Sequence, residues 1–289
     1  MKNRNIVILA GGISSRMRKP VEQNKLLDNK LALEADSKSK SMISVGVDGR
    51  PFLDYLLYNV SEAGYINVLI VIGEKDESIK NYYSGERVFS KLNIAFATQL
   101  IPEGRGKPFG TADALFQGLN SVKGWKDESF TVVNSDNLYS QKALQILLES
   151  EYDNAMIDYD SKGFELGEER VKAYAISLKN KNGFLIDIVE KPNEEQMKQA
   201  YDSEGILRVS MNIFKLKYNV IYNFLKTCPI NPVRNEKELP TAVKMMIKEN
   251  PESLYCYPIS EHVPDLTNKE DIIPTKNYLE KQFGGIIIN

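Results

Sequence analysis

The chain has 289 residues, enough to bury a sizeable core as one large α/β domain or two small ones. Charged residues make up 26% and hydrophobic residues 42%, and the net charge is −2, which leaves no basic field for nucleic acid and no polybasic patch for a membrane. Two cysteines, Cys228 and Cys256, and one histidine, His262, argue against a disulfide framework, a multi-histidine metal centre and a histidine-based triad.

The first element is an apolar run, Ile6 to Ala10, that meets Gly11-Gly12 and then Ser14-Ser15-Arg16-Met17. It reads as a buried parallel strand feeding a turn whose glycines let backbone N–H groups approach an anion. Arg16 adds a permanent charge with forked donors. The pattern is neither the dinucleotide G-x-G-x-x-G nor a P-loop ending in Gly-Lys-Ser/Thr. The N-terminus enters this strand without a signal-peptide pattern, and no stretch is apolar enough for a bilayer, so a cytoplasmic location is expected.

A polar stretch from Arg18 to Lys40 follows, long for a βα connection. Gly49-Arg50-Pro51 opens a helix with Phe52, Leu56, Val60 and Ala63 on one face, closed by Gly64. Val68–Ile72 is a second buried strand, Asp76 caps a short helix to Tyr83, and Ile94–Thr98 is a third strand. After a glycine-rich loop, a helix runs from Thr111 to about Leu119, and a fourth strand, Phe130–Asn134, ends in Ser135-Asp136-Asn137. This βαβα order predicts a mostly parallel sheet with right-handed crossovers. In the second half, Val171–Leu178 and Phe184–Val189 form a predicted hairpin through Asn182-Gly183. Arg208–Phe214 is a further strand, Tyr218–Lys226 and Leu239–Glu249 are helices, Leu254–Ile259 is a late strand and Lys276–Gln282 a closing helix. Glu238-Leu239-Pro240 reads as an ordinary helix start. No linker or internal repeat divides the chain.

Four features fall at strand ends, where open α/β sheets bind ligands. One is the Gly11–Arg16 loop. A second is Gln99, whose amide suits a base edge, with Gly110-Thr111 opening a helix behind it. A third is Asp136, placed to hold Mg²⁺ against phosphates. The fourth is Glu190-Lys191-Pro192, where Lys191 would neutralise a second phosphate and Glu190 would accept from sugar hydroxyls. Each also has a plain structural reading, as a turn, a cap or a solvated charge pair.

In combination and in order, these segments resemble the sugar-phosphate nucleotidyltransferase family. Leu9 to Met17 matches its L-A-G-G-x-x-x-R-M opening, and Lys40-Ser41-Met42-Ile43 is similar to its P-K-x-M. Gly49-Arg50-Pro51-Phe52, Gln99 with Gly110-Thr111-Ala112, Asn134-Ser135-Asp136 and Val189-Glu190-Lys191-Pro192 continue the match across nearly the whole chain. The resemblance implies an α/β, Rossmann-like mixed sheet, mostly parallel and flanked by helices, with a small antiparallel sugar-binding lobe. It would form one domain over 1–289, with a nucleotide-binding half to about 140 and an acceptor-binding half from about 141. It implies transfer of a nucleoside monophosphate from an NTP to a sugar-1-phosphate, with Mg²⁺ and release of pyrophosphate.

The implied roles are residue by residue. Arg16, Lys40 and Lys191 would be catalytic. The backbone of Leu9 and Ala10 to Gly12, with Gln99, Gly110 and Thr111, would hold the nucleotide. Glu190, Lys191 and Asn212 would hold the sugar phosphate, with Asn212 standing where relatives often have glycine. Asp136 and Asp265 would hold the metal, although Thr267-Asn268 replaces the usual Gly-Thr after Asp265. The long segment after Arg16 leaves Lys19 and Lys25 as alternatives to Lys40. Two other functions share this frame: a cytidylyltransferase acting on a phosphorylated alcohol such as phosphocholine, and a catalytically weak regulatory homologue that binds a nucleotide sugar. A homodimer is expected by family analogy alone.

Overall fold

A computed structural model describes residues 4–12, 14–18, 27–85, 89–164, 174–202 and 204–288. Strand β1, Asn5–Ala10, lies between β2, Asn67–Gly73, and β4, Ser129–Asn134, and β3, Asn93–Gln99, adds beyond β2. All three pairings are parallel, as the sequence order predicts. Every residue of β1 is buried. Ile6, Ile8 and Ala10 join one apolar layer and Val7 and Leu9 the other, the period-two alternation of a strand covered on both faces. The first layer includes α2, Phe52–Glu62, and α5, Gln141–Glu149; the second includes α4, Thr111–Ser121, and α8, Leu239–Glu249.

The second half continues the same sheet. Strand β9, Phe214–Lys217, runs antiparallel to β4 and to β5, Ala155–Asp160. Beyond them lie β8, Arg208–Ser210, β6, Ala175–Lys179, and β7, Leu185–Val189, all in antiparallel pairings. The late strand β10, Tyr255–Ile259, pairs parallel with β5. The parallel core thus belongs to the first half and the antiparallel extension to the second, a mixed, Rossmann-like α/β fold flanked by helices.

Several boundaries differ from the sequence expectation for identifiable reasons. The strand read as Arg208–Phe214 is two strands, β8 and β9, because Asn212 takes a left-handed φ of 55° and breaks the ladder. The polar stretch before Lys40 contains a helix, α1, Asn29–Ser37, capped by Asp28, whose side chain accepts from Leu31 N–H at 2.8 Å. Asp76 serves α3, Ser78–Tyr83, from two residues ahead, accepting from Ser78 N–H at 2.9 Å. The closing helix α9, Ile272–Phe283, starts earlier than expected. Helix α6, Glu194–Gln199, follows the E-K-P segment under a capping box from Asn193, and α7, Tyr218–Thr227, follows β9. Residues 171–173 of the predicted hairpin lie outside the described residues. Among the described residues no helix is long and apolar enough to cross a membrane.

Candidate active site

A cleft of about 320 Å³ opens at the C-terminal ends of β1, β3 and β4, where the sequence places its candidates. Leu9, Ala10, Gly11, Gly12 and Arg16 line it from the first loop. Gln99, Gly110 and Thr111 line it from the second, and Lys40, Asp136, Glu190 and Asn212 complete the set of expected residues found there.

The first loop is held at both ends. Met17 is fully buried, and Ser135 N–H donates to the Leu9 carbonyl at 3.1 Å, joining the ends of β1 and β4. Gly11 is packed so closely that a Cβ there would stand 2.7 Å from Gln99 Oε1. Arg16 itself is exposed at the cleft, while Ser14 beside it takes φ 55° and its hydroxyl accepts from Lys40 N–H at 3.3 Å.

Lys40 begins a single helical turn, Lys40–Met42, anchored by buried Met42 and Ile43. Glu34 on α1 braces this turn, accepting from Ser44 N–H at 2.7 Å and from Lys38 Nζ at 2.9 Å. Lys40 Nζ then donates to Asp136 Oδ2 at 2.9 Å, with both side chains largely shielded. Of the three candidate lysines, Lys40 is therefore in the cleft; Lys19 and Lys25 lie outside the described residues.

Asp265 is not among the described residues lining the cleft, but the backbone fixes it beside the Asp136 turn. Leu266 N–H donates to the Asp136 carbonyl and Leu138 N–H to the Pro264 carbonyl, each at 2.9 Å. Burial, and then the Asp136 charge, push the Asp265 carboxyl up to about 6, despite the Thr267 hydroxyl that donates to it at 2.7 Å. Two carboxylates from distant parts of the chain are thus held close together, with the Lys40 ammonium against Asp136.

On the acceptor side, burial and then the Glu238 carboxylate raise the Glu190 pKa above its ordinary range. Asn212 is held by its left-handed turn, and its buried Oδ1 has no hydrogen-bond partner. Lys191, expected to face the same space, is exposed with φ 47° and is not among the described lining residues. Glu190 thus lines the cleft, while the next residue, beyond the end of β7 and in a left-handed turn, is exposed.

Arg234 and Glu236, which nothing in the sequence singles out, and Glu238, read from the sequence as part of a helix start, also line the cleft. They lie on a segment clasped to the glycine-rich loop. Lys107 Nζ donates to Glu236 Oε1 at 2.7 Å, Lys237 N–H to the Phe109 carbonyl at 2.7 Å, and Ala112 N–H to the Lys237 carbonyl at 3.0 Å. Arg234 pairs with Glu238 at 2.7 Å, and Glu238 is only 5% exposed. The signal available in the sequence was Glu238, an acid directly before a Leu-Pro helix start.

Comparison with known proteins bears on the family and the fold. A family model described as nucleotidyl transferase matches residues 35–275. The chain is similar to the bifunctional protein GlmU of Methanococcus vannielii, 26% identical over 275 residues, covering 95% of this chain and 55% of that protein. It is also similar to the UTP–glucose-1-phosphate uridylyltransferase AglF of Haloferax volcanii, 24% identical over 188 residues and covering 65% of each chain. The chain spans about half the length of the GlmU relatives it matches. In fold it resembles a UDP-glucose pyrophosphorylase solved in complex with UDP-glucose, with a TM-score of 0.70 at 17% identity, covering 98% of this chain and all of that one.

Proposed function

The chain belongs to the nucleotidyl transferase family, and from that premise we propose that it joins an NTP to a sugar-1-phosphate, giving a nucleoside-diphosphate sugar and pyrophosphate. The observation that carries this reading is the single cleft in which the glycine loop, Gln99 and the Lys40–Asp136 pair face Glu190 and Asn212 from the other half of the chain.

The chemistry asks for alignment and charge neutralisation rather than a strong base. The sugar phosphate is already an anion. Its oxygen bonds to the α-phosphorus as the bond from that phosphorus to the β-bridging oxygen breaks, and pyrophosphate leaves with the electron pair. Backbone N–H groups of the Gly11-Gly12 turn receive the nucleotide phosphates, with Gly110 and Thr111 beside them across the cleft. Arg16 neutralises the triphosphate and the departing pyrophosphate. Lys40 is drawn to charge gathering at the α-phosphate. Asn212 Oδ1 and the Glu190 carboxylate offer acceptors to sugar hydroxyls, and Lys191 is assigned to the acceptor phosphate, reaching in from its exposed position.

The donor set fits a magnesium ion. Asp136 and Asp265 are two oxygen-bearing groups held close together, with the Asp265 carboxyl pushed up to about 6 by burial and by the Asp136 charge, and with the Lys40 ammonium against Asp136. Among the described residues no three His, Cys, Asp or Glu side chains gather for a metal, so a cation here would rest on these two carboxylates and on substrate phosphates, the usual manner of Mg²⁺. When bound, the ion would supply positive charge shared by the reacting phosphates.

The acceptor is read as a sugar in preference to phosphocholine because no aromatic side chain is among the described lining residues, and quaternary ammonium groups are ordinarily held on aromatic faces. The test is pyrophosphate release with Mg²⁺, each NTP, and a panel of sugar-1-phosphates and phosphorylated alcohols. Release that requires one NTP with a sugar-1-phosphate is expected. Release only with a phosphorylated alcohol moves the chain to the cytidylyltransferase reading, and binding of a nucleotide sugar with no release from any pair makes it a regulatory homologue.

A further inference from the structure

Helix α1 leads directly into the Lys40 turn. Lys38 N–H closes the helix on the Glu34 carbonyl at 2.8 Å, and the Ser39 carbonyl then accepts from Met42 N–H at 2.9 Å. Glu34 holds the far side of that turn, accepting from the Ser44 hydroxyl at 3.0 Å as well as from its N–H. Residues two apart on a helix do not share a face, and Asp36 reaches a different part of the chain. Its Oδ1 lies 2.6 Å from Lys269 Nζ, and the lysine side chain is only 5% exposed against 52% for the aspartate.

Lys269 belongs to the turn behind Asp265. Thr267 N–H and Asn268 N–H donate to Asp271 Oδ2 at 2.8 and 2.7 Å, and the Thr267 hydroxyl donates to both Asp265 oxygens, at 2.7 and 2.8 Å. The segment from Asp265 to Asp271 is thus one hydrogen-bonded unit, and Lys269 is its side-chain link to α1. The contacts close a ring: α1 leads to Lys40, Lys40 Nζ meets Asp136, Leu266 N–H meets the Asp136 carbonyl, and Lys269 returns to Asp36. A buried ammonium gains little net stability from an ion pair once the loss of its water is counted, and an apolar side chain of similar volume would serve the core as well. Stability alone is therefore a poor reason for a lysine at this position.

We propose that Asp36 and Lys269 are positioning residues: their ion pair fixes the Asp265 turn to the segment that bears Lys40, and so sets how tightly Asp136 and Asp265 together hold a divalent cation. The inference rests on the reading of those two carboxylates as a metal pair. Charge and position predict opposite outcomes at Lys269. As a charge alone, its ammonium opposes a cation held at Asp265, and removing it would tighten the site. As a strut, it keeps one ligand within reach of the other, and removing it loosens the site.

The experiment is titration of the full chain with Mn²⁺ as the probe cation, read from the EPR signal of the free ion, with no nucleotide or acceptor. The unsubstituted chain is compared with Lys269→Met, Lys269→Arg and Asp36→Ala, and Asp265→Asn marks which binding belongs to the site. Lys269→Met and Asp36→Ala are each expected to weaken that binding about fivefold or more, and Lys269→Arg, which keeps the pair, to stay within about twofold. Asp36→Ala combined with Lys269→Met is expected to bind no more weakly than either alone, because all three lose the same contact. A merely structural role would lower the melting temperature and leave Mn²⁺ affinity unmoved well below it. Unchanged or tighter binding in Lys269→Met, or a loss that Lys269→Arg shares, would overturn the inference while leaving the metal pair in place. Binding that Asp265→Asn does not weaken, or no binding at all, would overturn the reading of Asp136 and Asp265 as a metal pair and the inference with it. If Lys269→Met does not fold, as judged by its thermal unfolding, Asp36→Ala against Asp36→Glu decides, because residue 36 is half exposed. Weaker binding in the alanine variant alone supports the inference, and equal affinities overturn it.

Discussion

Gly110 shows how tightly single residues are held here. Its φ of 96° and ψ of −178° lie in a region open essentially only to glycine, and a Cβ would stand 2.4 Å from the Lys237 carbonyl oxygen. Both obstacles are backbone, so a side chain elsewhere cannot swing away to relieve them. Gly110→Ala is expected to lower stability by about 2 kcal/mol or more, measured as a fall in the urea midpoint, and to loosen the clasp between the glycine-rich loop and 231–238. Charge tells a different story at Arg16 and Asp136. Arg16 is exposed and Asp136 partly so, and neither fills the core. Arg16→Ala and Asp136→Ala are therefore expected to keep the fold, with a melting temperature close to that of the unsubstituted chain, and to lower turnover about 10²-fold or more in the pyrophosphate assay. Near-normal turnover in either would remove that residue from the proposed chemistry.

Among the elements, β5 carries an unusual load. All six of its residues are buried, including Asp158, which has no exposed surface. Lys179 Nζ meets the Asp158 carboxylate at 2.6 Å, Arg208 Nε approaches it at 4.0 Å, and the Ser177 hydroxyl also donates to it. Removing the carboxylate alone strands the Lys179 ammonium against the sheet, while Arg208 keeps its pair with Asp202 at 3.1 Å. Asp158→Ala is expected to cost about 3 kcal/mol in urea unfolding, and the double substitution Asp158→Leu with Lys179→Met to recover most of it. The same cluster explains why β5 is hard to see in the sequence. Acids at Asp158 and Asp160 interrupt the apolar run, and their compensation comes from strands far along the chain, whereas β1, β2 and β4 are continuous apolar runs that declare a buried parallel strand. Helix α1 is likewise hidden, because it is stabilised by the Asp28 cap and by Glu34 reaching Ser44 more than by an apolar stripe. At the cleft, the glycine loop, Gln99, Asp136 and Glu190 are legible because they sit where strands end. Arg234 and Glu236 are not, since a charged loop residue looks alike whether it faces solvent or a ligand.

Across the whole molecule, the proposed metal pair joins the two halves: Asp136 leaves β4 of the parallel core, and Asp265 comes from the segment that leads into α9. Bringing them together costs folding free energy when no cation lies between them, and the sign of the pH dependence follows. The Asp265 carboxyl is raised from 3.8 to about 6 by burial and by Asp136, so the native state holds this proton more tightly than the unfolded chain does. Its contribution is fully present below about pH 4 and is lost as pH rises through about 6. In a magnesium-free buffer, the stability of the unsubstituted chain relative to Asp265→Asn is therefore expected to fall between pH 4 and pH 7, by an amount on the order of 2 kcal/mol. The comparison with the variant cancels the titration of groups that do not interact with Asp265. Added Mg²⁺ at pH 7 should then raise the melting temperature of the unsubstituted chain and leave Asp265→Asn much less affected, because a ligand stabilises only the state that binds it. Equal Mg²⁺ shifts in the two proteins would take Asp265 out of the metal site. A pH profile that does not separate them would mean that neither burial nor the Asp136 charge raises the Asp265 carboxyl in the folded chain.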